Sequence, residues 1–505
     1  MGNAYIVVVL GIVLAKGIGF FREIAFSGVF GTTGYADIYF QVFNIVNLIF
    51  AGIGVALSTL VIKNMNKPEN TGNEKAYVAS FIRKSFIAFS AVAALFAIFA
   101  KPIIKYILLP GISPENINLA VKQMHIMAPS IVFVVIAYII SGVLQNEKAF
   151  FITAIMSFPF NAVIIASLFI PNVSLTTVSI VTTIGWFLHI IILLPSFIKK
   201  GYSFFTKAGK QNSSKSKNPE ILWIFISNMM FQLCFYTDRA FVSDTEGMAA
   251  TLSYASNLFV IVASIFVVAM STVFFPSISK NYEEGNIDYI NDLLRYIITV
   301  MVAIFVPFLL VVALFGTDII RLVYERGDFT AESTKAVSSM LFIYSLGVLG
   351  YITQELFNKI LYTAGKYKYC VFGTLGVIIT NLISNLLIKN FVPQTPFFNT
   401  GVTADTFFIA LSSSFFLFCY AVIISFAIKT VVGRYWKADL LKDLLKIAFC
   451  ACLAFAAYFI MNLFMPAFTH GYISFIIPLI ICGIVYIVSL HITGVLMRLI
   501  KKKGS

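Results

Sequence analysis

Residues Leu14–Phe40 read "LAKGIGFFREIAFSGVFGTTGYADIYF". Two apolar segments meet at a short Gly/Thr link, and Lys16, Arg22, Glu23 and Asp37 sit within or beside them. Neighbouring sequence sets the context. The chain has 505 residues, of which 59% are hydrophobic and only 11% charged, with a mean hydropathy of +0.92. A soluble domain of this size needs far more charge to cover its surface. Apolar runs long enough to cross about 30 Å of hydrocarbon recur from end to end, each needing about 20 residues of helix. A membrane β-barrel would instead alternate in short segments. The fold class is therefore all-α, a polytopic membrane protein.

Hydropathy and helix breakers together predict fourteen spans, near 4–29, 36–62, 77–100, 122–146, 149–171, 177–198, 220–243, 249–275, 291–315, 335–364, 368–389, 405–428, 442–464 and 472–499. The longest polar stretch, "KKGYSFFTKAGKQNSSKSKNPE" from Lys199 to Glu220, divides the chain. The resulting organisation is an N-lobe over 1–200, a cytoplasmic link over 201–219, a C-lobe over 220–430, and two further spans with a basic tail over 431–505.

The net charge of +14 follows the membrane and not a nucleic acid. With the N-terminus inside, about 22 Lys and Arg fall in inner loops, among them Lys199, Lys200, Lys207, Lys210, Lys215, Lys217, Arg498, Lys501, Lys502 and Lys503, against about six outside, including Lys101, Lys105, Arg321 and Arg326. Both termini are expected in the cytoplasm, and the basic excess is expected to meet anionic lipid. "MGNAYIVVVLGIVLAKG" lacks a basic n-region and a small-residue cleavage site, so it reads as a retained first span. The six cysteines lie in or beside apolar helices and read as packing residues. Four scattered histidines, His125, His189, His470 and His491, never approach a metal-ligand spacing, and no metal is expected.

The chain matches itself. At an offset of 213 residues "VALSTLV" (Val55–Val61) falls on "VAMSTVF" (Val268–Phe274) and Asn44 on Asn257; at 216, "KPIIKYILLPG" (Lys101–Gly111) meets "TDIIRLVYERG" (Thr317–Gly327). Six spans followed by six related ones of the same orientation suit a transporter that opens to alternate sides of a central cavity.

Polar side chains fall in stripes that suit the wall of such a cavity. Asp37, Gln41, Asn44 and Asn47 are spaced 4, 3 and 3 and share a helical face. Lys16 and Glu23 share another, with Arg22 pointing elsewhere. Asn228, Gln232 and Arg239 form a third, with Asp238 adjacent; Asn257 lies on the next span, and Glu355 and Lys359 make an i,i+4 pair. Such stripes also hold helices together without touching a substrate, and Lys16 has the length to reach an interface. Charge at bilayer depth costs roughly 2.5–3.5 kcal/mol per group, so the whole set points to a hydrated, charged chamber.

"AKGIGFFRE" followed by "FGTTGYADIYF", then "LSYASNL", "PSISKNYEEGN" and "VYERGDFTAEST", resembles the MurJ/MviN lipid II flippases of the multidrug/oligosaccharidyl-lipid/polysaccharide exporter superfamily. The resemblance covers most of the chain. It implies that Arg22, Asp37 and Asn47 line the central cavity, and that basic side chains there hold a lipid-linked diphosphate. Lys16 stands where the family usually has arginine, keeping charge without the bidentate fork. Phe50 and Asn257 occupy two positions where the family places arginine, leaving Lys16 and Arg22, joined by Arg239. By the same analogy the last two spans, roughly 442–499, form a groove for the polyprenyl tail, and His491 is their main intramembrane polar exception.

No G-x-x-x-x-G-K-[ST] phosphate loop and no nucleophilic constellation occurs, so neither ATP use nor enzyme activity is expected, and no cofactor. A cation gradient (Na+ or H+) or the membrane potential is the expected drive, with Asp238, Glu355 and Asp37 as candidate ion carriers. The expected setting is the bacterial cytoplasmic membrane, with the chain a monomer whose partners are membrane lipids and a lipid-linked glycan. Three functions stay open: a flippase for lipid II, a flippase for another undecaprenyl-linked glycan (capsule, teichoic-acid or O-antigen unit), or a cation-coupled multidrug exporter. Lipid II is the favoured reading of the three; the missing arginines lend some weight to the second, and the net-basic first half disfavours the third.

Overall fold

A computed structural model describes residues 2–66, 72–206, 223, 232–433, 435–464 and 473–501. Asn228 and the link lysines Lys207, Lys210, Lys215 and Lys217, together with Lys502 and Lys503, lie outside the described residues. The described chain is helical almost throughout, as a backbone in hydrocarbon must be, because each N–H and C=O has to find its partner within its own segment.

We number the helices in chain order: α1 Gly2–Phe30, α2 Gly34–Met65, α3 Glu74–Ile98, α4 Pro114–Asn146, α5 Phe150–Leu168, α6 Leu175–Lys199, α7 over 232–241, α8 Met248–Glu283, α9 Ile287–Tyr324, α10 Ala331–Leu346 with Val348–Thr363, α11 Tyr367–Phe391, α12 Ala404–Val432, α13 Ala438–Phe464 and α14 Ile473–Ile492. These follow the fourteen predicted spans in order. Among the described residues nine helices are by themselves long and apolar enough to cross a membrane, and ten when the two parts of α10, bent by 44°, are taken as one. The exposed faces are greasy: Phe86 and Ile87 on α3, Phe418 and Phe426 on α12, and Phe449 and Phe459 on α13 all present large apolar side chains. On a soluble protein such faces would aggregate; against lipid tails they cost nothing.

Two compact units are present: residues 1–254 with 324–333, and residues 255–323 with 334–505. In the first unit small residues let backbones approach, as helix packing in lipid requires. A Cβ on Gly142 of α4 would lie 2.8 Å from the Ser58 carbonyl oxygen of α2, and one on Gly185 of α6 would lie 2.7 Å from the Phe160 ring of α5. A π-helical turn, Phe50–Gly54, interrupts α2.

In the second unit α10 and α12 meet at Gly350, whose Cβ would come within 2.7 Å of the Leu417 backbone. Ile447, Cys450 and Ala454 of α13 pack with Tyr486 and Leu490 of α14 in a buried cluster that includes Ala303 of α9. The Tyr486 hydroxyl donates to the Ala303 carbonyl at 2.8 Å, so the last two helices are fastened to α9 by a hydrogen bond as well as by apolar contact.

Candidate functional site

The first unit gathers most of the polar side chains that the sequence singles out. Arg22 of α1 is mostly buried and lies between two rings: its guanidinium carbon is 5.2 Å from the centroid of Phe43 on α2 and 5.5 Å from that of Phe160 on α5. Its Nη2 is 3.5 Å from Oε1 of the buried Glu23. Helical spacing alone sends these adjacent side chains in different directions, but arginine is long enough to fold back. Behind the rings stands a second aromatic layer. Phe160 packs on Trp186 at 4.5 Å and on His189 at 5.4 Å, and Trp186 stacks on His189 at 4.9 Å. Tyr39 stacks on Phe43 with the planes 7° apart, and its hydroxyl pairs with Thr182 Oγ1 at 3.0 Å. A cation held against aromatic faces keeps its charge while shedding water. Lys16, one and a half turns earlier on α1, is half-buried.

Asp37 has a different setting. Its Oδ2 accepts from the Gly247 N–H at 2.7 Å and its Oδ1 from the Ala250 N–H at 2.6 Å. The carboxylate therefore caps the N-terminus of α8, where unpaired N–H groups and the helix dipole both favour negative charge. The favour is returned: Glu246 Oε1 accepts from the Gly34 N–H at the start of α2, at 3.0 Å. Gly34 and Gly247 are 213 residues apart, the same offset that relates the sequence repeats, so two equivalent helix starts exchange carboxylates. The repeat's second pair behaves alike. The Gly111 N–H donates to Ser243 Oγ at 2.9 Å, and the Asp328 N–H, next to Gly327, donates to the Gly28 carbonyl at 3.0 Å. Gly327 has φ +56°, and a Cβ there would lie 2.0 Å from the Gly28 oxygen, so only glycine fits.

Further along α2, Gln41 and Asn44 are buried and reach a cavity of about 290 Å³ whose wall is otherwise mostly apolar, with Leu48, Leu233, Tyr236 and Thr237 among its residues. Gln41 Nε2 donates to the Leu108 carbonyl at 2.6 Å. Asn44 Nδ2 has no hydrogen-bond partner among the described residues. Asn47 is half-buried. On α7, Asp238 and Arg239 are buried, and the Arg239 guanidinium carbon lies 5.4 Å from the Tyr236 ring. Gln232 is half-buried at the start of that helix.

Asn257, Glu355 and Lys359 belong to the second unit, each half-buried. That unit also holds a polar group absent from the sequence expectations. Asn381 Nδ2 donates to Ser412 Oγ at 3.1 Å and Ser413 Oγ at 3.0 Å; Ser412 Oγ donates to Asn385 Oδ1 at 2.7 Å; and Lys389 Nζ is 2.8 Å from Asp405 Oδ2. The signal was available, since Asn381, Asn385 and Lys389 recur every fourth residue along α11. The aromatic layer of Phe43, Phe160, Trp186 and His189 was the other omission.

Comparison with known proteins places the chain in a family. The family model described as "Lipid II flippase MurJ" matches residues 26–480. A probable lipid II flippase MurJ from Buchnera aphidicola subsp. Schizaphis graminum is 25% identical over 501 residues, covering 94% of each chain. One from Rickettsia prowazekii is 27% identical over 391 residues, covering 75% of this chain and 76% of its own. Among solved structures, a lipid II flippase MurJ in an inward closed conformation superposes with a TM-score of 0.76 at 22% identity, over 97% of this chain and 99% of the other. A multidrug resistance MATE family transporter of the MOP superfamily, inward-facing, gives 0.62 at 13% identity, over 83% and 95%. At such identities the structural matches speak to fold alone.

Proposed function

Given that the chain belongs to the MurJ family, we propose that it is a lipid II flippase, carrying the undecaprenyl-diphosphate-linked peptidoglycan precursor from the inner to the outer leaflet of the bacterial cytoplasmic membrane by alternating access. It is a transporter and not a catalyst. The observation that carries the reading is the family match over residues 26–480, a span that includes the buried Arg239 and begins just after Arg22. Arg22, stripped of much of its water by Phe43 and Phe160, is the principal partner of the diphosphate, because a cation in low-dielectric surroundings attracts phosphate oxygens with little screening. Arg239, seated on Tyr236, and Lys16 supplement it, and Glu23 is the anion that substrate phosphate displaces from Arg22. Alternating access engages the two lobes, residues 1–200 and 220–430, and both termini are cytoplasmic.

Drive comes from a cation gradient or the membrane potential, with Asp238 and Glu355 as ion carriers; the chain acts as a monomer. Asp37 is assigned to the junction of helix starts, where its carboxylate already serves two N–H groups. One observation favours a second reading, a flippase for another undecaprenyl-linked glycan: Phe50 and Asn257 stand where the family places arginines, so the diphosphate meets fewer cations.

The test is growth. Cells depleted of their own lipid II flippase are expected to survive when this gene is expressed, and to die when it carries Arg22→Ala. Failure of the wild-type gene to rescue, with the protein present in the membrane, would move the assignment to the second reading.

A further inference from the structure

The cavity beside Asn44 differs from the surroundings of Arg22 in that its wall is nearly all hydrocarbon. Its residues, among them Ile45, Leu48, Ile107, Leu233 and Tyr236, all belong to the first unit, and its volume is about 290 Å³. Ligand sites of this kind are apolar concavities with a small number of placed polar groups. Here one such group stands out. Asn44 is 5% exposed, lines the cavity, and its Nδ2 has no hydrogen-bond partner among the described residues. The neighbouring amide, Gln41 Nε2, is already taken by the Leu108 carbonyl. A buried amide donor left without an acceptor is costly, and native proteins seldom keep one without a purpose.

Charge narrows the occupant. Arg239 lies on the ring of Tyr236, which lines the cavity, and Arg22 lies on the ring of Phe43, the residue preceding Asn44. An apolar slot with one unpartnered donor and a cation on an aromatic ring of its wall fits a hydrocarbon chain that ends in a phosphate. Ile107 is 63% exposed and lines the cavity, so one side of the slot faces the exterior of the helices, the direction from which a membrane-dissolved chain arrives.

The geometry points to this cavity as the seat of the first isoprenyl units of the carrier lipid, with Asn44 Nδ2 donating to the oxygen that joins chain to phosphate. This assignment rests on the flippase reading and refines it: the chain is gripped at its phosphate end by α2 and α7, whatever holds its distal part. Specificity then includes the branched hydrocarbon next to the phosphate as well as the headgroup.

The experiment uses the full-length protein in lipid nanodiscs and farnesyl diphosphate bearing a diazirine on its first isoprene unit. Photolysis is expected to label peptides containing 41–48 and 233–237. Leu48→Trp, which fills the cavity, is expected to weaken farnesyl diphosphate about tenfold while leaving inorganic diphosphate binding unchanged. Asn44→Leu is expected to weaken farnesyl diphosphate but not farnesol. Should Leu48→Trp fail to elute as a folded protein, Ile45→Phe tests the same filling. Labelling confined to α13 and α14, unchanged affinity in the filled variants, or equal displacement of the probe by phosphatidylglycerol would each overturn the assignment. The flippase reading fails separately, when labelling falls in the cavity as expected but wild-type protein does not move lipid II across liposomes.

Discussion

Arg22 between Phe43 and Phe160 makes a residue-scale prediction that charge alone does not. Arg22→Lys keeps the positive charge but loses the planar overlap and the fork, so lipid II transport in proteoliposomes is expected to fall roughly tenfold. Phe160→Leu, which changes no charge, is expected to act in the same direction; wild-type rates in both would show that the rings contribute nothing. Asp37 makes another. Replacing it by alanine removes the acceptor of two N–H groups at the start of α8, a loss of about 1–2 kcal/mol for a helix cap. With a cysteine placed at Ile112, which lies in the same junction as Asp37 and Ser243, maleimide labelling is expected to rise about tenfold in the alanine variant. The stripe of Asp37, Gln41 and Asn44 was legible from spacing. The use of Asp37 was not, because its partners are 210 and 213 residues away. The aromatic layer was not legible either, because Phe43, Phe160, Trp186 and His189 come from three separate helices that only packing brings together.

Among elements, α11 and α12 depend on an ion pair inside the second unit. The Asp405 side chain is 1% exposed and Lys389 is its cation at 2.8 Å. Breaking a buried pair from one side leaves an uncompensated charge, so Lys389→Met is expected to destabilise by about 3–5 kcal/mol, read as a lowered Tm in detergent. The double change Lys389→Met with Asp405→Asn is expected to recover most of it. Equal Tm values for single variant and wild type would mean that water reaches Asp405. The helices themselves were readable because each must be apolar for about 20 residues. The 44° bend of α10 at Gly347 and the π-turn of α2 were not, since both arise from close neighbours in space that a hydropathy profile does not contain.

For the whole molecule, the distribution of Lys and Arg makes the clearest forecast. Fluorescent-protein fusions after residue 505 are expected to shine and alkaline phosphatase fusions there to be inactive, with the reverse after Gly111. The opposite pattern would invert the proposed direction of transport. The 213-residue offset read in the sequence also separates Gly34 and Gly247, two helix starts whose N–H groups donate to each other's neighbouring carboxylate. What the repeat concealed is that the compact units do not follow it: residues 232–254 and 324–333 group with the first 200, because contacts and not ancestry decide which segments pack together.

The exchanged carboxylates also bear on leakage. Parting these helix starts by half a step would break three hydrogen bonds at once and strand amide hydrogens beside the buried Asp37 carboxylate. The junction is therefore expected to exist as shut or as fully parted, with little time between. A membrane protein that moves a bulky polar cargo needs such all-or-nothing behaviour, since a gap just wide enough for ions would drain the cell's gradients while the cargo waited.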